Sequence, residues 1–270
     1  MEQAASGPEA LTTKVGPMFQ GERRAKIMSR VLERGRVDVA ELADEFHVTG
    51  ETIRRDLTEL QRERLLRRVH GGAVPWRGTV IVPHLDVREG HNVAEKRRIA
   101  QAAAAEVPQE GAIIIDSGST ALQLADALDR ERDLTVITNH LPIIRSLATT
   151  ERPDVVVLGG ALRRRTMAFV DETGVETLRE LTVDVVFVGC DGMSPEHGFT
   201  TPFREEVTIK RAMIAAARRV VMMFDHSKVG NEQLFRFADV GEVDIIYTDT
   251  SMDDVTAALL EEQGPEVVRV

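Results

Sequence analysis

The strongest constraint on this chain is an alternation that begins at Gly111. Short runs rich in Val and Ile, AIIID (112–116), LTVIT (134–138), DVVVLG (154–159), VVFVG (185–189), VVMMFD (220–225) and DIIYTD (244–249), are separated by helical patterns, and VVRV closes the chain. A strand with one wet face alternates apolar and polar residues. A continuously apolar strand must be covered on both faces, and the helices between the runs supply that cover. The pattern predicts a mostly parallel α/β sheet with helices on both sides. Aromatic residues make up only 4% of the chain against 43% hydrophobic residues, so its core has to be built mostly from Ala, Val, Leu and Ile.

In such sheets a ligand sits beyond the carboxyl ends of the strands, so the residues following each run carry the functional reading. The first run leads into Asp116-Ser117-Gly118-Ser119-Thr120, directly before the helical ALQLADAL. A Gly-containing loop opening a helix offers free backbone N–H groups, hydroxyls and the positive end of a helix dipole, which suits a phosphate. The same residues also make an ordinary βα turn with Ser and Thr as caps. The second run is followed by Asn139 and His140, the third by Gly159-Gly160 and Arg163, the fourth by Asp191-Gly192, and the fifth by Asp225 and Lys228. Oxyanion donors beside hydroxyl-binding Asp and Asn point to a small anionic ligand of the phosphorylated-sugar type.

The first 75 residues read differently. Glu22 to Glu33 carries Ile27, Met28, Val31 and Leu32 at helical spacing, and Gly35 ends it. Asp38 with Glu41 three residues on makes a capping-box pattern for a second helix whose apolar side is Val39, Leu42, Ala43 and Phe46. Thr49 can cap a third helix with Ile53, Leu57 and Leu60 on one face. Two short helices across a tight turn, the second bearing Thr49, Gly50, Thr52, Arg54 and Arg55 in its first turns, form a helix-turn-helix pattern that presents these residues to a DNA major groove. Pairing of the arginines with Glu51, Asp56 or Glu59 on a solvated face is the competing reading. Arg67, Arg68 and His70 precede Gly71-Gly72 in what reads as a two-stranded wing beside the phosphate backbone. From Phe19 to Pro75 there are 12 Lys and Arg against 10 Asp and Glu, which leaves −12 on the remainder of a chain of net charge −10. A slightly basic module on an acidic body fits a DNA binder joined to a separate function.

VDVAELADEFHVTGETIRRDLTELQRERLLRRVHGGAV, with its TIRRDL and its R-x-HGGA ending, resembles the N-terminal domain of DeoR-family transcriptional regulators. DSGST, VITNH, LGGALRRR, VDVVFVGCDGMSPEHGFTT and EEVTIKRAMIAAARRVVMMFDHSKVG resemble the sensor domain of that family. The resemblance spans roughly residues 19 to 250. It departs from the family at Phe19 (usually Tyr), Thr49 (commonly Ser) and Arg64 (often Gly). It implies a winged helix-turn-helix followed by a Rossmann-like sheet similar to ribose-5-phosphate isomerase and CoA transferase folds. It also implies a phosphorylated sugar as effector. Residue by residue it carries the effector role to Asp116, Ser117, Gly118, Ser119, Thr120, Gly159, Gly160, Asp191, Gly192, Thr200, Glu206, Lys210 and Lys228. Glu206 and Lys210, spaced i,i+4, equally fit a solvated helix face together with Glu205.

The expected organisation is a flexible tail over 1–18, the DNA-binding domain over 19–74, a connector over 75–90 with two prolines and no clear period, and the sensor domain over 91–270. One cysteine, Cys190, excludes an internal disulfide and suits a reducing cytoplasm. The seven histidines show no metal-ligand spacing. No metal and no cofactor beyond the effector is expected. No apolar run is long enough to span a bilayer. The expected function is a sequence-specific regulator, a repressor of a sugar operon, acting on operator DNA as a homodimer or homotetramer. A sugar-phosphate isomerase using Asp116, Asp191 and Lys228, and a DNA-binding architectural protein with idle loops, are the alternatives.

Overall fold

The computed structural model describes residues 20–34, 36–62, 65–75 and 85–270. The expected tail, Phe19, the helix stop at Gly35, the departure at Arg64 and the segment 76–84 with Trp76 lie outside the described residues.

The N-terminal unit comprises α1 (Gln20–Arg34), β1 (Val37–Asp38), α2 (Val39–Glu45), α3 (Gly50–Arg62), β2 (Leu66–Val69) and β3 (Gly72–Pro75). Its three strands pair antiparallel in the order β1-β3-β2, so the predicted wing exists and gains a short third strand. Asp38 caps α2 by accepting from the Ala40 amide. Glu41 reaches across to Arg34 at 3.8 Å. Thr49 Oγ1 accepts from the Thr52 amide at the start of α3. The apolar faces converge on one core of Ile27, Met28, Val31, Leu42, Phe46, Ile53, Leu57, Leu60 and Leu66. Asp56, on the buried side of α3, is gripped by Arg23 at 2.6 Å and Arg24 at 3.2 Å. This ion pair ties α1 to α3, which explains why the acid of the TIRRDL stretch is buried and does not neutralise the arginines beside it.

The segment expected as a non-periodic connector contains a short helix, α4 (Leu85–Glu89). Leu85 and Val87 are both buried, and so small an apolar pair leaves almost no periodic signal. The body continues with α5 (Val93–Ala103), β4 (Glu110–Ile115), α6 (Ser119–Ala127), β5 (Asp133–Thr138), α7 (Leu141–Leu147) and β6 (Asp154–Val157). A hairpin of β7 (Ala161–Arg163) and β8 (Ala168–Val170) precedes α8 (Glu172–Arg179) and β9 (Val183–Gly189). Then come β10 (Gly192–Ser194), β11 (Gly198–Thr201), α9 (Arg204–Ala215), β12 (Ala217–Met223), β13 (Phe235–Ala238), β14 (Ile245–Thr248), α10 (Asp254–Glu261) and β15 (Glu266–Arg269).

All seven predicted apolar runs join one parallel sheet in the order β15-β14-β12-β9-β4-β5-β6. Within β4, Ile113 and Ile115 join the core under α5, α6 and α7, whereas Ile114 joins the core under α8, α9 and α10. The chain builds β4, β5 and β6 outward in one direction, then returns to place β9 on the other flank of β4. The crevice beyond β4 and β9 is therefore the topological switch point of the sheet, where ligands bind in open α/β folds. A small antiparallel sheet, β10-β11-β13, rises beside that crevice. Its strands lack the continuous Val/Ile character that betrayed the others.

Gly192 opens β10 where a Cβ would lie 1.5 Å from the Asn231 carbonyl oxygen. Backbone cannot give way as a flexible side chain can. Gly192→Ala is expected to destabilise the protein by about 2 kcal/mol or more, measurable as a lowered midpoint in urea against wild type.

Candidate functional site

Two sites emerge, one on the N-terminal unit and one at the switch point. On α3, burial of Ile53, Asp56, Leu57 and Leu60 turns Glu51, Arg54, Arg55 and Thr58 outward. Arg54 leans on Glu51 at 3.3 Å. Arg68 of β2 donates to Thr58 Oγ1 at 2.9 Å, which docks the wing on the same face. The side chains of Arg55 and Arg67 are exposed and make no hydrogen bond or ion pair among the described residues. Thr49 is exposed and Thr52 half-buried, linked through their hydroxyls at 2.9 Å, with Gly50 between them. His70 is exposed at the wing turn. The structure thus places all eight residues read as DNA contacts along one helix start and one wing. The competing reading, arginines neutralised by their own helix, holds for Arg54 and not for Arg55.

A recess of about 460 Å³ lies beside this face, lined by residues including Asp38, Asp44, Gly50 and Arg54. Its two carboxylates make it a poor cradle for a small anion.

At the switch point, Asp116 follows β4 and is 1% exposed. Lys210, on α9 and 3% exposed, donates to the Asp116 carboxylate and, at 2.9 Å, to the Gly189 carbonyl at the end of β9. Burial alone would lower the Lys210 pKa, but the carboxylates of Asp116 and Glu206 outweigh it and raise it. Glu206, one turn before Lys210, is also buried. The solvated-face reading is therefore wrong for these two and correct for exposed Glu205. Glycine 118 adopts φ 136 and ψ 166, a region open almost only to glycine. It stands as N-cap of α6 with no side-chain cap, so Ser119 and Thr120 do not act as the turn caps of the alternative reading. The first amides of α6 keep their dipole end directed beyond the strand.

Thr201, which the sequence reading did not single out, joins two acids. Its hydroxyl lies 2.9 Å from Asp191 Oδ2 and 3.0 Å from Glu206 Oε2. A hydroxyl has one hydrogen to donate. Serving two carboxyl groups requires one of them to bring its own proton. Burial, and next the Asp191 charge, push Glu206 up to about 7, so Glu206 is the group that carries it.

Further along the strand ends, Asn139 donates to the Phe169 carbonyl while its Oδ1 is buried without a partner. His140 is fully buried, with neither ring nitrogen bonded among the described residues. Burial, then Arg88, pushes its pKa down to about 3, so the ring is neutral. Arg163 lies 4.1 Å over the Phe203 ring and pairs with exposed Glu205 at 2.7 Å. Asp225 accepts from Asn92 at 2.8 Å. Burial would raise its pKa, but Lys228 and Lys96 overcome this and hold it low. Lys96 itself is lowered to about 8 by burial. Arg88 approaches Asp191 at 3.7 Å. The site thus gathers Arg88, Lys96, Arg163, Lys210 and Lys228 around Asp116, Asp191, Asp225 and a Glu206 whose pKa burial raises to about 7.

Other residues take structural posts. The Thr200 hydroxyl donates to Gly192 O and accepts from the Gln233 amide, both at 2.9 Å. Gly160, at φ 126, packs where a Cβ would strike Asp171. Gly159 and Ser117 sit half-buried at the rim. Cys190 is half-buried against the core, and burial raises its thiol pKa, so no thiolate is available near neutrality. Among the described residues no group of three or more His, Cys, Asp and Glu could hold a metal ion. No described helix is long and apolar enough to cross a membrane.

Residues 23–76 match the family model of the DeoR-like helix-turn-helix domain, and residues 91–250 match that of the DeoR C terminal sensor domain. The chain belongs to the DeoR family. It is 34% identical over 253 residues to the HTH-type transcriptional regulator YulB of Bacillus subtilis, covering 94% of this chain and 98% of that one. It is 33% identical to the glycerol-3-phosphate regulon repressor of Escherichia coli, covering 86% and 92% of the two chains. An overlay on ribose 5-phosphate isomerase of Methanocaldococcus jannaschii covers 51% and 55% at 19% identity and TM-score 0.38. The protein is a transcriptional regulator with an N-terminal helix-turn-helix and a C-terminal sensor domain.

Two tests follow from the buried acids and Lys210. Lys210→Met leaves the Asp116 carboxylate buried without its ammonium and is expected to cost about 3–5 kcal/mol, with a smaller loss when Asp116→Asn is added; paired urea titrations decide. Glu206 is raised from its ordinary 4.5 to about 7, so the folded state holds the extra proton across that interval. Its contribution is complete below the lower value and fades as pH rises through the upper one. Thermal melts between pH 4.5 and 7 should show wild type losing stability relative to Glu206→Gln as pH rises.

Proposed function

We propose that this protein represses a carbohydrate-pathway operon. DNA is read by Thr49, Gly50, Thr52, Arg54 and Arg55, with Arg67, Arg68 and His70 of the wing on the backbone. A phosphorylated sugar or polyol binds at the switch point of the sheet and controls that reading. The observation that carries this is electrostatic. Five cations converge on three committed carboxylates and a fourth, Glu206, that is half neutralised near pH 7. Such a site receives a phosphoryl dianion and keeps Asp116, Asp191 and Asn139 for hydroxyl groups. The names of relatives agree: a glycerol-3-phosphate regulon repressor and an aga operon repressor are both among them.

A single helix-turn-helix makes few base contacts, each worth roughly 1–3 kcal/mol. A homodimer or homotetramer on repeated half-sites is therefore part of the proposal. The role is binding rather than turnover, with no metal or cofactor beyond the effector, in the cytoplasm that one free cysteine suits.

The test is thermal stability of the full chain against phosphorylated sugars, with the free sugars as controls. A shift confined to a phosphorylated compound is expected, and no shift with any of them sinks the effector half. Lys228→Ala should abolish most of that shift and leave DNA affinity unchanged. Arg55→Ala should do the reverse, weakening DNA binding at least tenfold in fluorescence anisotropy. The affinity for the phosphorylated compound should fall from pH 6.5 to pH 8 as Glu206 ionises, and Glu206→Gln should flatten that fall.

A further inference from the structure

Side chains of helix α4 enter both domains. Val87 is buried within the core of the DNA-binding unit, alongside Ile27, Met28, Ile53 and Leu57, and α1 packs against α4. The next residue, Arg88, points the opposite way and lies 3.7 Å from Asp191 beyond β9.

Two further contacts hold α4 to the sensor. The Leu85 amide donates to the Arg165 carbonyl at 3.2 Å, between β7 and β8. Lys96 Nζ donates to the Arg88 carbonyl at 2.7 Å and also to the His91 carbonyl, capping the end of α4. The same ammonium stands 3.8 Å from Asp225, the acid after β12 beside Lys228. The side chain of Arg88 is only 14% exposed, yet its Nε and Nη2 are buried without a hydrogen-bond partner. A guanidinium presents five donors in a planar fork, and burying them unmatched is costly. A contact of 3.7 Å to one carboxylate oxygen does not match that fork; a phosphoryl group does, through two parallel bonds.

We propose that Arg88 is an effector-binding residue and the point at which effector and DNA-binding domain are coupled. This rests on the phosphorylated-effector reading above. The incoming phosphoryl group takes the guanidinium away from Asp191. Arg88 and Val87 are consecutive on one turn of helix, so moving the first moves the second within the core that orients α3. Lys96 transmits in the same sense, because it binds both the α4 carbonyl and Asp225. The effector thereby favours a different setting of the DNA-binding unit, and the two ligands become linked through α4.

The experiment uses the full chain, a DNA duplex selected by it from a random library, and a panel of glycerol 3-phosphate, fructose 1-phosphate, fructose 6-phosphate, ribose 5-phosphate and inorganic phosphate. In wild type the binding compound should change DNA affinity by roughly 5- to 150-fold. Arg88→Gln should bind the compound about tenfold or more weakly, and its DNA affinity should no longer respond to the compound; Arg88→Lys should lie between. Val87→Ala should bind the compound as wild type does, while the compound's effect on DNA affinity shrinks. Should that variant not fold, Val87→Leu takes its place. If Arg88→Gln binds and responds as wild type while Lys228→Ala does not bind, this inference fails and the effector reading stands. If Val87→Ala and Val87→Leu both retain the full effect on DNA, the coupling through α4 fails. If no compound binds wild type, both readings fall together.

Discussion

Lys210 crosses the carboxyl end of the sheet and terminates between Asp116 and the Gly189 carbonyl, and the sensor domain is organised around that crossing. It joins the end of β4, the end of β9 and the middle of α9, the elements that flank the place where strand order reverses. Two charges so deeply buried contribute little net stability compared with an apolar pair of similar size. What they give is position. An ammonium between a carboxylate and a carbonyl fixes the distance between two parallel strands at the end where their loops diverge. The DSGST loop leaves from one strand, and Cys190, Asp191 and Gly192 leave from the other. With that distance fixed, the polar groups of two loops far apart in sequence face one crevice.

The remaining acids are settled by proton placement. Thr201 gives its single hydrogen to one of Asp191 and Glu206 and accepts from the other, and Glu206, raised to about 7, supplies that proton, so a crevice with four carboxyl groups holds fewer than four negative charges near neutrality. His140, kept neutral by burial and by Arg88, adds no charge in either direction. Of the cations, Lys96 is pushed down to about 8 by burial, whereas Lys210 is raised by the carboxylates around it. An overall charge of −10 is therefore no guide to this site. Most of the acidic surplus lies elsewhere, where it disfavours indiscriminate association with DNA without opposing a small anion at the strand ends.

The sheet was legible because burial on both faces forces an apolar run, and each of the seven runs became a strand of it. The DNA-binding unit was legible because capping and helical spacing are local: Asp38 and Thr49 cap the helices they were expected to cap. The site was legible only where its residues stand directly after a strand. Asp116, Asn139, Asp191 and Lys228 follow strands, and strand ends are identifiable. Glu206 and Lys210 sit on a helix that shows only an i,i+4 charge pattern, and only the tertiary fold reveals that this face turns inward. Arg88 and Lys96 were missed because nothing local distinguishes a basic residue in a prolyl connector, or on an Arg- and Lys-rich helix, from a solvated one. Thr201 was missed for a related reason. Thr200 and Thr201 are adjacent on β11 and point to opposite faces, and the sequence does not say which faces the crevice. The structure ties Thr200 to the small sheet and gives Thr201 to the acids.

The architecture separates reading from control through a narrow joint, and the energetics make that useful. One recognition helix with a wing earns affinity only when two or more copies meet half-sites at a matching separation. The DNA-binding unit has its own small core, with Asp56 tied to Arg23 and Arg24. On the proposed coupling, a shift of α4 changes the setting of that unit by a small rotation without breaking either core. In the proposed oligomer the loss of match is shared between copies, so a modest displacement at α4 outweighs any single base contact. The control site then needs no large rearrangement of the sheet, which a buried parallel sheet pinned by Lys210 would resist. It needs a ligand whose charge competes for a guanidinium held loosely, at 3.7 Å, by the carboxylate of Asp191.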